Sequence, residues 1–124
     1  KKVASEYERL YARYPDAVRR DYALFLLEWK IDSNKALSLA LEESRRRKDV
    51  RTYRCLALAY FANGMADEAW SAIGFALRKG TRLPEILFDG AVIAKALGKT
   101  ERYEAFVERL TTINPEYQRV YGSP

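Results

Sequence analysis

Histidine is absent from the 124 residues. Its absence removes Ser-His-Asp and Cys-His catalysis and the usual zinc sites, so an enzyme would have to work with carboxylates, lysine or tyrosine alone. Cysteine occurs once, as Cys55, which excludes an internal disulfide. Inside an expected helix that residue reads as small and partly buried rather than as a reactive thiol, and the redox compartment stays open. A glycine-rich phosphate loop is also missing, so no cofactor and no metal is expected. The six glycines and four prolines fall near expected helix ends or turns, except Gly74 and Gly90. No apolar run approaches membrane-spanning length, and no signal-peptide pattern opens the sequence. It begins Lys1-Lys2 without methionine and is read as a processed or excised piece of a longer chain, with localisation left unassigned.

What is present suits a folded helical chain. Apolar residues make up 48%, an ordinary share for a globular domain. The net charge of +5 permits acidic partners without demanding nucleic acid. Residues 50–83, VRTYRCLALAYFANGMADEAWSAIGFALRKGTRL, form the most legible stretch. Tyr53, Leu56, Ala57 and Tyr60 recur at intervals of three and four, as do Ala69, Ile73 and Ala76; each set shares one helical face. Gly64 suits the left-handed residue that closes the first helix, and Asp67 and Glu68 complement the dipole of the second. Gly80, after Arg78 and Lys79, supplies the next stop signal.

The flanks read the same way. Residues 3–13 predict a helix with Val3, Tyr7, Leu10 and Tyr11 on one side, stopped at Tyr14-Pro15. A helix over 17–30 faces Tyr22, Ala23, Leu26 and Leu27 inward, and Asp32 or Ser33 caps the next, with Ala36, Leu37, Leu39 and Ala40 toward its partner. Asp49 caps the central unit. Pro84 opens a helix that Gly98 ends, and Thr100 caps the last, which Asn114-Pro115 terminates. The tail EYQRVYGSP either caps the stack through Tyr117 and Tyr121 or frays. Trp29 and Trp70 are assigned to packing.

The spacing repeats. Ala23, Ala57 and Ala91 stand 34 residues apart, as do Leu24, Leu58 and Val92, and Leu26, Tyr60 and Ala94. Gly64 and Gly98 keep the interval of 34, whereas Ala40, Ile73 and Val107 follow at 33 and 34. The order aromatic-x-x-Leu-Ala-x-x-Tyr, then Ala-x-x-x-Ile, at this stride resembles the tetratricopeptide repeat of bacterial-type proteins, a helix–turn–helix unit of about 34 residues. The resemblance covers 3–115. It implies an all-α fold, a right-handed α-α solenoid of about three units and roughly seven helices. Residues 3–15 would be the helix of a preceding partial repeat or an N-terminal cap; 17–48, 50–83 and 84–115 would be the units, and 116–124 a tail. Departures are Arg19 or Arg20 at a usually aromatic position, Gly90 for leucine, Ala94 for tyrosine, Tyr103 for alanine, and Pro84 about three residues later than the usual closing proline. Small residues let helices approach and larger ones fill between units, so stability comes from stacking.

The resemblance also implies a function without catalysis: a protein–protein interaction scaffold holding a partner's peptide in a concave groove of first helices. Carried over residue by residue, that groove comprises Arg20, Leu24, Leu27 and Glu28, then Arg51, Arg54, Leu58, Phe61 and Ala62, then Phe88, Val92 and Lys95. An apolar strip edged by Arg20, Arg54 and Lys95 suits a segment with apolar anchors and some acidic residues; the alternative is that these apolar residues pack between neighbouring helices. The clamp that some family members use on chaperone tails is not matched, because Leu24 and Leu58 replace its asparagine and Glu85 and Asp89 its basic residues. The run Arg45-Arg46-Arg47-Lys48 could meet RNA, acidic lipid or an acidic protein. A solvated helix end also explains it, with Glu42 and Glu43 pairing the arginines. Nucleic acid is disfavoured because base-reading repeats use polar pairs where this surface is aliphatic. Tyr7, Tyr11 and Tyr14 form either a sticky edge or the contact to a neighbouring unit, which leaves a homo-oligomer open, as is an accessory role in a larger enzyme or assembly.

Overall fold

The computed structural model describes residues 2–79 and 83–124. Among them lie eight helices and no strand: α1 (Lys2–Arg13), α2 (Pro15–Glu28), α3 (Ser33–Arg46), α4 (Val50–Ala62), α5 (Ala66–Arg78), α6 (Pro84–Ala96), α7 (Thr100–Ile113) and α8 (Tyr117–Tyr121). The eighth is the short tail helix, anchored by Tyr117, which is buried. The stop signal expected at Gly80 lies outside the described residues.

Helix ends follow local chemistry. Pro15 does more than stop α1: it occupies the first turn of α2, where its missing N–H costs least, so α2 begins two residues before position 17. The Asp32 carboxylate accepts from the Lys35 N–H at 3.0 Å and Asp49 from the Thr52 N–H at 2.8 Å. Thr100, expected as a cap, is instead the first residue of α7, preceded by Lys99 with no side-chain cap.

The three within-pair turns share one device. After α4, Gly64 takes φ +73° and the Met65 N–H reaches back to the Tyr60 carbonyl at 2.9 Å; after α6, Gly98 takes φ +72° and Lys99 N–H reaches Ala94 at 2.9 Å. These are six-to-one closures with a left-handed residue. The turn after α2 is the same, with Lys30 at φ +51° and Ile31 N–H to Leu26 O at 3.0 Å. Lys30, Gly64 and Gly98 stand 34 apart, so the register is kept through this residue, and the extra residue of the first turn comes after it.

From α1 to α7 each helix packs on the next, α2 also touches α4, α4 touches α6, and α8 packs on α6. Ala23, Ala57 and Ala91 have no exposed surface, nor do Ala36, Ala40, Ala69 and Ala76. Cys55, expected to be partly buried, is also fully enclosed, and burial pushes its thiol up to about 12, which makes it unreactive. Two expectations for the apolar surface fail. Trp29 is 65% exposed, because α2 has already ended and the ring only brushes Phe25 at 6.5 Å. In α1, Tyr7 and Tyr11 pack on Tyr22 at 5.6 and 5.9 Å, while Val3 and Leu10, and Tyr14 just after the helix, stay exposed.

Gly90 replaces a larger residue for a steric reason. A Cβ there would come within 3.1–3.3 Å of the Phe106 ring, so the missing side chain admits that ring against α6.

Ion pairs stitch the helix pairs together. Arg20 and Arg54, again 34 apart, each reach across to the next unit: Arg20 Nη1 donates to Asp49 at 3.1 Å and to Thr52 Oγ1 at 3.1 Å, and Arg54 Nε donates to Asp89 at 2.6 Å. Burial raises the Asp89 carboxyl above its ordinary value, with Arg54 opposing the shift. At the start of the stack Arg19, only 3% exposed, bonds Glu43 at 3.1 Å and Asp16 at 2.9 Å and lies near Glu42 at 3.4 Å. Glu43, expected on the surface, is buried.

Two outcomes are expected from this packing. Gly90→Leu should lower stability in urea unfolding by about 1–3 kcal/mol, and adding Phe106→Ala should restore part of the loss; strict additivity would show that the ring is not what the glycine admits. Arg54→Leu should cost about 3 kcal/mol at neutral pH by leaving the Asp89 carboxylate buried and unpaired. Because the folded-state value of Asp89 is raised, protonation favours the folded form. The deficit should therefore be smallest below the ordinary carboxylate range and grow as pH rises through the Asp89 value. Unfolding curves between about pH 4 and about pH 7 that show a constant deficit would contradict this.

Candidate functional site

The first helices of successive pairs, α2 and α4, leave a cleft of about 830 Å³ between them, closed at one end by the turn after α2. Helical periodicity places Leu24, Leu27 and Glu28 on one wall and Arg54, Leu58, Phe61 and Ala62 on the other, with Lys30 and Ile31 at the closed end. Leu24, Leu27, Leu58 and Phe61 are half-buried. They pack against the core with part of their surface and line the cleft with the rest.

Seven of the twelve residues named from the sequence therefore meet in one cleft. The others do not line it. Arg20 is turned to Asp49 and Thr52. Arg51 is exposed on α4. Phe88 and Val92 are half-buried on α6 and Lys95 is exposed there, its amino group 5.7 Å from the Tyr103 ring centre. The cationic edge expected from Arg20 and Arg54 is largely spent on internal carboxylates. Lys30 and Ile31, missed from the sequence, line the cleft because the left-handed turn folds them back over it.

Arg45, Arg46, Arg47 and Lys48 are all exposed at the end of α3. Arg47 pairs with Glu43 at 3.2 Å, one helical turn back, and Arg46 with Asp16 at 2.9 Å. The Lys48 ammonium donates to the Ser44 carbonyl at 2.7 Å. Glu42 does not pair along its own helix; it accepts from the Tyr11 hydroxyl at 3.2 Å and lies near Arg19.

Among the described residues no cluster of three or more Asp, Glu, Cys or His side chains could hold a metal ion, and no helix is long and apolar enough to cross a membrane. The raised carboxyl of Asp89 is tied to Arg54 rather than open to a substrate.

No protein-family model and no curated protein sequence matches the chain. Solved structures that resemble it include two with low sequence identity. One, described as "Crystal structure of MamA", superposes with a TM-score of 0.78 at 15% identity, over 95% of this chain and 70% of that one. A second, "MamA MSR-1 C2", gives 0.73 at 17% identity, over 92% and 67%. MamA is a tetratricopeptide-repeat protein. Identity this low carries the fold and no more. With its helix pairs, their stride and this likeness together, the chain folds as an all-α helical-repeat solenoid of the tetratricopeptide type.

Proposed function

We propose that the chain is a non-catalytic protein-interaction scaffold. Its three units, 17–48, 50–83 and 84–115, hold a partner's peptide segment by apolar side chains seated between α2 and α4. The supporting observation is the cleft of about 830 Å³ with Leu24, Leu27, Leu58 and Phe61 along its walls. A cleft of this size accepts side chains such as Leu or Phe, and burying each stabilises the complex by roughly 1.5–3 kcal/mol before ordering costs. Since Arg54 is held by Asp89 and Glu28 lines the wall, the cleft selects by shape and apolar content more than by charge. Phe88, Val92 and Lys95 extend the same face along α6 and would meet a longer segment.

Selection of random displayed peptides on the chain tests this. Recovered sequences should carry spaced large apolar residues and bind with micromolar affinity (about −8 kcal/mol). Leu58→Glu should abolish that binding while the circular dichroism spectrum keeps its helical form. Undiminished binding to the Leu58→Glu variant would remove the cleft as the docking site.

A further inference from the structure

A second groove, sharing no lining residue with the first, runs between α5 and α7 with a volume of about 460 Å³. Ile73, Leu77 and Phe106 form an apolar floor, and Trp70 stands edge-on to Phe106 at 6.1 Å. Cations frame it. Arg78 and Arg102 line it, are exposed, and have no carboxylate partner among the described residues. The Arg78 guanidinium is held 4.4 Å over the Phe75 ring, and the Lys99 ammonium lies 5.4 Å over Trp70.

Gly74 is the second observation. It sits inside α5 and lines this groove. A glycine in mid-helix is destabilising relative to alanine, so it calls for a reason. Packing supplies none: a Cβ there would meet only Arg78 Nη1 at 3.5 Å, an ordinary contact, unlike Gly90 beneath its aromatic ring. The missing side chain leaves the backbone of α5 open to close approach from outside.

We propose that the α5–α7 groove is a second docking site, taking a partner-protein segment in which large apolar side chains alternate with carboxylates. Charge complementarity selects that occupant, because no carboxylate among the described residues lines the groove. The acidic complement anticipated for the α2–α4 cleft is met here instead, by guanidinium groups that no carboxylate among the described residues occupies. Nucleic acid fits less well, since bases need open ring faces to stack on. Phe75 is stacked on Tyr53 at 5.2 Å with Arg78 over it, and Trp70 carries Phe106 and Lys99.

The chain has two tryptophans, so Trp29→Phe leaves Trp70 as the sole indole reporter in the groove. The probe is a short peptide of alternating Leu and Glu pairs, compared with oligoglutamate, a Leu–Lys peptide and oligouridylate. The Leu–Glu peptide should give a saturable change in Trp70 emission, weakened about tenfold by Arg78→Glu. Gly74→Leu should abolish it while raising or preserving the unfolding midpoint, because leucine is the better helix former. Leu58→Glu should leave this titration unchanged, so failure here and failure of the α2–α4 cleft are separable. The proposal is overturned by no saturable change, by equal binding of oligoglutamate, by full affinity in Gly74→Leu, or by a response to oligouridylate or to the Leu–Lys peptide alone.

Discussion

Close approach of helices across alanine is the constraint on which the rest depends. Ala23, Ala57 and Ala91 recur once per unit and are fully enclosed. Where no side chain extends beyond Cβ, backbones draw together and the larger neighbours are forced into the seams on either side. Leu26, Ile73, Ile86 and Ile93 fill those seams. No helix pair here hides its own apolar face, so each borrows a surface from the next. The same geometry sets the stride: with helices of 13 or 14 residues, one left-handed turn residue returns the chain to the same face every 34 positions.

Charge is organised around this stack rather than scattered over it. Arg20 and Arg54 link successive first helices through Asp49 and Asp89, and Arg19 binds α2 to α3 through Glu43. The Arg19–Glu43 and Arg54–Asp89 pairs are costly to desolvate and contribute little net stability, but a wrong stagger of neighbouring units would strand a buried charge there. They therefore act on register, and Asp49 and Asp89 also divert Arg20 and Arg54 from the α2–α4 face. On the α2–α4 cleft Lys30 stands beside Glu28, whereas the α5–α7 groove has Arg78 and Arg102 and no carboxylate among its described lining residues, and this difference distinguishes the two surfaces chemically.

Much of this was legible in the residues. Periodicities of three and four located the helices up to α5, start and stop residues bounded α6 and α7, and subtraction at 34 found the unit, because apolar spacing is a direct imprint of burial. Of the caps with a carboxylate, Asp49 was read outright and Asp32 as one of two candidates with Ser33. The turn at Lys30 was hidden because a lysine stands where Gly64 and Gly98 advertise a left-handed residue. Arg19 was noticed only as a departure from an aromatic position; yet Arg19, Tyr22, Ala23 and Leu26 share one helical stripe, so the buried side of α2 was readable. Its partners were not, since Glu43 lies 24 residues away. Of the cleft, the aliphatic walls followed from periodicity. The diversion of Arg20 and Arg54 to internal carboxylates did not, because it depends on contacts between units. Trp29 misled because its size argues for burial, while its place after the last turn of α2 gives it nothing to pack against.

Replacing Ala57 by Asp and following amide hydrogen exchange along the chain tests the central claim most directly. If the helices stand only by leaning on one another through that contact, a buried carboxylate there should strip protection from α4 and from its neighbours α2, α3, α5 and α6 together. Loss confined to α4, with full protection persisting in the flanking pairs, would mean that the pairs fold independently and that the alanine contact is not what holds the stack.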